Sequence, residues 1–122
     1  MIERLFVYGT LAPGEVNAAQ LAQVAGHWQQ ASVTGYYDVM GWGKTQGYPG
    51  VVLDPGGESI AGWLLTSSQL HRHWPRLDRF EGSRYRRQIV RVRTATGKQL
   101  RAYIYCVKPA LLNDPNDKAL PW

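Results

Sequence analysis

The chain has a single cysteine, Cys106, among 122 residues, so a disulfide framework is excluded and a reducing compartment fits. No apolar run approaches the ~18 residues of a membrane helix. The first residues, Met1-Ile2-Glu3-Arg4-Leu5, lack the basic segment and apolar stretch of a secretory signal, and a cytoplasmic location is expected. His27, His71 and His73 do not fall at metal-ligand spacing with other ligands, so no metal centre is expected. What is plentiful is apolar: 44% of residues are hydrophobic, with five Trp and seven Tyr, which argues against disorder and supplies one core. One domain is the packing solution at this length. Residues 1–108 are expected to form it. Residues 109–122, with Pro109, Pro115 and Pro121, read as a surface tail.

Acidic residues are few, nine against 14 Lys and Arg, for a net charge of +5. Nine of the ten arginines fall between Arg72 and Arg101, where the only acids are Asp78 and Glu81. Such a patch could attract nucleic acid or a small anion. No RNA-binding pattern of interleaved aromatics accompanies it, and a solvated strand face is the preferred reading. Neither a nucleic-acid nor a membrane partner is expected, and the oligomeric state is not legible.

Leu5-Phe6-Val7-Tyr8 is a continuous apolar run closed by Gly9, the pattern of a central strand buried on both faces. Asn17 with Gln20 resembles a capping pair that opens a helix through Leu21 and Val24. Trp28 to Val39 reads as a strand region, and Gly41-Trp42-Gly43 with Gly47-Tyr48-Pro49-Gly50 as an irregular stretch. Val51 to Leu53 and Ser59 to Leu65 read as two strands around the tight connection Asp54-Pro55-Gly56-Gly57. Thr66-Ser67-Ser68-Gln69 is a second capping box, whose helix should break before Pro75 and resume with Pro75 as its first residue. Gln88 to Thr94 and Gln99 to Val107 alternate around Thr96-Gly97-Lys98 as a hairpin. The class is α+β: a small sheet, curled or barrel-like because closure hides strand edges, with two or three short helices.

One residue breaks the helical pattern. Leu77 and Glu81 form an i, i+4 pair, so Glu81 occupies an inward or rim position, while Asp78 should lean toward solvent. Burial would raise the Glu81 pKa and make it a competent proton acceptor; neighbouring arginines would oppose that. The alternative is a structural carboxylate held by Arg84 or Arg87. Tyr8-Gly9-Thr10-Leu11 is the second candidate, since a glycine after a buried strand can turn the backbone and present amides to a carboxylate or oxyanion. Its alternative is an ordinary turn. Tyr103 and Tyr105 read as core or rim packing, with pocket lining as the alternative, and Cys106 as an inert core thiol.

Together, these features resemble the γ-glutamylcyclotransferase-like family, in its short bacterial branch related to plant avirulence-induced (AIG2-like) proteins. The resemblance runs through Phe6-Val7-Tyr8-Gly9-Thr10-Leu11, Tyr48-Pro49-Gly50-Val51 and Ile60-Ala61-Gly62-Trp63. It is strongest at Leu77-Asp78-Arg79-Phe80-Glu81-Gly82 with Tyr85 and Arg87, and continues at Ala102-Tyr103-Ile104-Tyr105. The resemblance implies a mixed fold around a small barrel, conversion of a γ-glutamyl amide to 5-oxoproline with release of the amine, and no metal or organic cofactor. It implies that Glu81 is the proton acceptor and that the Tyr8, Gly9, Thr10 and Leu11 loop holds the γ-glutamyl group. Tyr85 and Arg87 follow at family spacing, with Arg87 binding carboxylate or orienting Glu81, or both simply packing on the sheet.

The expected partner is therefore a small γ-glutamyl substrate whose leaving amine is unspecified. Trp42 and Tyr48 are candidates for a wall that selects it. A member of the same fold that binds a metabolite or protein without turnover is the rival, because fold alone does not fix function.

Overall fold

A computed structural model describes residues 2–9, 11–15, 17–38, 50–82 and 85–107. Thr10, Trp42, Tyr48, Arg84 and the tail 109–122 lie outside these residues. Six strands form one sheet: β1 (Glu3–Val7), β2 (His27–Asp38), β3 (Gly50–Leu53), β4 (Glu58–Ser67), β5 (Tyr85–Thr94) and β6 (Gln99–Val107). The order is β3-β2-β4-β1-β6-β5, and β5 returns to β2 through Ala31↔Thr94 and Ser32↔Arg93. Five strands thus close a barrel in which only β1 and β6 run parallel.

Closure depends on the length of β2. One of its edges carries β4 from His27 to Gly35, while the other receives β5 near Ala31 and then β3 from Gly35 to Asp38. Gly35 is required at this junction, because any side chain there would collide with the Val52 carbonyl. The connection Asp54–Gly57 is tight as expected, with the Gly56 amide donating to Asp54 Oδ1 at 2.8 Å and the Gly57 amide to the Asp54 carbonyl at 2.9 Å. Yet β3 and β4 do not pair with each other. They lie on opposite edges of β2, so the local turn signal joins two strands that a third separates.

Alternation on β1 divides the apolar interior in two. Phe6 points into the barrel with Val33, Val51, Ile60, Leu64, Val92 and Ile104. Leu5 and Val7 point out and are covered by Leu11, Leu21, Leu70, Trp74 and Leu77. The strand is buried on both faces, which is why its sequence is an unbroken apolar run.

The helical expectation is met once and shortened twice. Residues Ala18–Leu21 and Leu70–Arg72 form 3-10 turns, and neither Asn17 nor Gln69 caps its turn with a side chain. The Ser67 hydroxyl donates instead to the Ala25 carbonyl and accepts from the Gln69 amide, tying the end of β4 to the preceding loop. Helix α1 (Trp74–Glu81) carries Pro75 in its first turn, as expected, and ends at Gly82, whose φ of 87° favours glycine. Trp74 and Leu77 are its buried residues, and Leu77 is fully enclosed. Burial of such a leucine is worth ~1.5–3 kcal/mol, enough to seat a helix of two turns that could not persist alone.

From Tyr85 to Val92, β5 has a described strand partner on one edge only. Arg86 and Arg91 are exposed along this stretch, and Arg101 stands opposite Arg91. Charged side chains on an edge without a described partner oppose pairing with another chain. That gives part of the arginine-rich segment a structural reason.

Candidate active site at the barrel mouth

Helix α1 sets Glu81 one turn beyond the Leu77 anchor, within electrostatic reach of Tyr8, which follows β1, and of Tyr105 on β6. Its side chain is half-buried. Among the described residues no hydrogen bond or ion pair reaches its carboxylate. Loss of water around an unpaired carboxylate disfavours the charged form, and burial raises the Glu81 pKa to about 7. Of the two arginines that the sequence offers as partners, Arg87 is engaged with Asp78 instead.

Tyr8 follows the last residue of β1. Its hydroxyl donates to the Tyr105 carbonyl at 2.7 Å and accepts from the Val51 amide at 3.1 Å, so it ties β1, β6 and β3 together. Burial first, and then the nearby Tyr85, Glu81 and Cys106, push the Tyr8 pKa well up, against the favourable Val51 contact. The phenol is held neutral. It acts as a strut beside Glu81 with both hydrogen-bonding directions used.

Asp78 lies one turn before Glu81, on a neighbouring ridge of the helix. Its Oδ1 accepts from Arg87 Nε at 2.9 Å and from the Tyr105 hydroxyl at 2.6 Å, and its Oδ2 accepts from Arg87 Nη2 at 3.3 Å. Desolvation would raise its pKa, but the Arg87 and Tyr105 hydrogen bonds with the Arg87 charge outweigh that and lower it. Arg87 also lies over the rings of Trp74 and Tyr103, 4.4 and 5.0 Å from their centroids. Asp78 is exposed, as the helical pattern predicts; its grip on two strands is not visible in that pattern.

The remaining candidates can be placed one by one. The Gly9 carbonyl accepts from the Ala12 amide at 3.0 Å, and a side chain at Gly9 would project into open space. Leu11 is buried in the cluster beneath α1. Tyr85 is half-buried, packs against the same cluster and lies within electrostatic reach of Tyr8. Tyr105 belongs to that cluster and Tyr103 packs on it, so both serve chiefly as core. The Cys106 thiol, donating to the Arg86 carbonyl at 3.6 Å, is pushed up to about 11 by burial despite the Arg86 charge. It stays protonated and unreactive at neutral pH.

A cleft of about 390 Å³ opens beside the β1 loop, lined by Tyr8, Ala12, Pro13, Gln30, Gly62 and Trp63 among others. A wider one of about 740 Å³ lies at the seam of β2, β3 and β5, with Ser32, Thr34, Leu53, Arg91 and Arg93 on its walls. Glu81 lines neither. Among the described residues no group of three metal-ligating side chains occurs, and no helix is long and apolar enough to cross a membrane.

The fold is shared with solved structures. YkqA from Bacillus subtilis is 35% identical over 88% of this chain, with a TM-score of 0.67. This chain spans only 36% of YkqA. An AIG2-like protein from Mus musculus superimposes over 92% of this chain and 83% of its own, at 23% identity and a TM-score of 0.66. A structure described as gamma-glutamyl cyclotransferase does so over 91% and 74%, at 16% identity and a TM-score of 0.59. At those identities the last two speak for the fold alone. No curated protein matches significantly. The profile of one family matches residues 5–121, nearly the whole chain, and this barrel with its half-buried acid belongs to the family described as gamma-glutamyl cyclotransferase, AIG2-like.

Proposed function

We propose that the protein cyclises a γ-glutamyl amine or dipeptide to 5-oxoproline and releases the amine, with Glu81 carrying the protons. The observation that carries this reading is a carboxylate without a described partner, raised to about 7 by burial at the barrel mouth. Family membership and the open space at Gly9, next to the Tyr8 strut, support it.

The chemistry needs such an acid. The substrate's α-ammonium must lose a proton before its nitrogen attacks the γ-carbonyl carbon. Glu81 accepts that proton in its ionised form. The new C–N bond forms within one molecule, so holding the glutamyl chain bent supplies much of the acceleration. As the tetrahedral centre collapses, the bond to the leaving nitrogen breaks. The two protons given up by the α-ammonium end on the departing amine, which leaves as an ammonium ion, and no cofactor enters the balance.

The amides of Gly9, Thr10 and Leu11 receive an anionic oxygen of the substrate, either the α-carboxylate or the oxyanion. Tyr8 and Tyr85 form the wall beside it. Arg87 contributes through its hold on Asp78.

Incubation with a panel of γ-glutamyl amines and dipeptides, followed by 5-oxoproline detection, tests the reading. For an accepted substrate, Glu81→Gln should lower kcat by ~10²–10⁴-fold with the fold intact. Turnover near the wild-type rate in that variant would remove Glu81 from the mechanism. Binding of γ-glutamyl amides with no 5-oxoproline at all would favour a protein that binds without turnover.

A further inference from the structure

We propose that Asp78 is the positioning residue for Glu81: by gripping Arg87 of β5 and Tyr105 of β6 at once, it fixes the last turn of α1 against the barrel mouth. This rests on the reading of Glu81 as the proton carrier.

The geometry is specific. Arg87 and Tyr105 stand directly opposite each other across the β5–β6 ladder, so the three hydrogen bonds to Asp78 clasp one cross-strand pair. Tyr105 in turn accepts from Tyr8 through its carbonyl, which joins the clasp to the strut beside Glu81. Leu77 holds the helix from below and Trp74, under the Arg87 guanidinium, holds its start.

A helix of eight residues with no side-chain cap at its start has little orientation of its own. At three residues' separation, Asp78 and Glu81 lie one turn apart and about 60° apart around the axis. Pinning Asp78 therefore pins the direction of Glu81. Released, the last turn could rotate or fray at Gly82, and water would reach the second carboxylate. Among the described residues, the titratable groups near Glu81 are Tyr8 just after β1 and Tyr105 from β6, with Tyr85 of β5 and Cys106 of β6 around Tyr8 and Asp78 on its own helix. Tyr8, Tyr105 and Cys106 are neutral near pH 7, so hydration is the variable that the clasp controls.

The alternative is an ordinary surface ion pair, since the Asp78 and Arg87 side chains are 44% and 26% exposed. Stability alone cannot separate the two. Asp78→Asn alone also removes a charge near Glu81. The test therefore uses Tyr105→Phe, which deletes one hydroxyl, and the charge-balanced double variant Asp78→Asn/Arg87→Gln. In each full-length variant the Glu81 carboxyl is titrated by carbon NMR, and the pH dependence of kcat/KM is recorded where turnover exists. The expected result is a Glu81 midpoint lowered by about one pH unit or more toward the ordinary carboxylate value, with the acid limb of kcat/KM moving by the same amount. Folded variants with an unchanged midpoint would overturn the proposal. Should Glu81→Gln prove fully active, the catalytic reading fails, yet the titration still decides whether Asp78 positions Glu81.

Discussion

Asp78 and Glu81 are three residues apart on one short helix, and their surroundings treat them in opposite ways. Asp78 faces outward into a bracket of donors from Arg87 and Tyr105, and its pKa falls. Glu81 lies near Tyr8 and Tyr105, where no described group donates to it, and burial raises its pKa to about 7. Exposure would suggest the reverse reading, with the solvent-facing acid ordinary and the half-buried one paired. Donors hold a carboxylate in its charged form and burial without them pushes it toward the neutral one, and here Arg87 serves Asp78.

The largest effect should come from breaking both sides together. Leu77 is fully buried and anchors the helix from which both acids project. Leu77→Ala should cost ~2–5 kcal/mol by leaving a cavity under α1. If docking creates the contrast, the two carboxyls should also titrate closer to each other, Asp78 moving up and Glu81 down. Urea denaturation and carbon NMR titration measure these outcomes, and a loosened helix with both midpoints unmoved would show that the environments do not depend on docking.

A second change should sharpen the contrast by touching one side. Glu81 is protonated in both the folded and unfolded chain well below its ordinary value of 4.5. Between that value and about 7 the unfolded chain releases its proton while the folded one retains it, so stability falls as pH rises. Above about 7 the folded protein carries the whole cost, roughly 3 kcal/mol for a shift of this size. Glu81→Gln removes the titrating group in an isosteric way. The variant should therefore be more stable than the wild type at pH 8 by up to about 3 kcal/mol, with the gain gone near pH 4. Stability gained in step with lost turnover would mark Glu81 as a residue that the fold tolerates rather than needs.

Much of this arrangement is legible in the residues, and the rest fails for identifiable reasons. The run Leu5-Phe6-Val7 announces burial on both faces because alternation has nothing polar to expose. Pro75 fixes the restart of the helix, and the Leu77–Glu81 spacing turns one acid inward, since both are properties of a few adjacent residues. The pairing of β3 is not such a property. Its turn residues are correct for a tight connection, but the partner edge is decided by how far β2 extends and by the clearance at Gly35. Ser67 has the chemistry of a cap and spends it on Ala25, 42 residues away. Asp78 is similar: helical spacing places it outside, but only the β5–β6 register brings Arg87 and Tyr105 together beneath it. The signal that could have found it is the coincidence of Tyr85 and Arg87 on alternate residues of a strand whose hairpin partner carries Tyr103 and Tyr105.

The smallest effect belongs to the outer side alone. Arg87→Lys keeps the positive charge but cannot reproduce the two-pronged contact with Asp78 or the stacking over Trp74. Because Asp78 is exposed and water screens the pair, the loss should be no more than about 1 kcal/mol. Its pH signature separates it from the Glu81 effect. The folded-state pKa of Asp78 is depressed below its ordinary value of 3.8, so its contribution is complete above that value and disappears as pH falls through the lower, folded one. Between pH 5 and 8, therefore, the difference between wild type and Arg87→Lys should stay flat in urea denaturation, and it should shrink only in more acidic solution. Over the same range the difference for Glu81→Gln should climb. A flat line for one variant and a rising line for the other would come from two acids on a single helical turn. Two parallel lines would mean that α1 does not separate their environments.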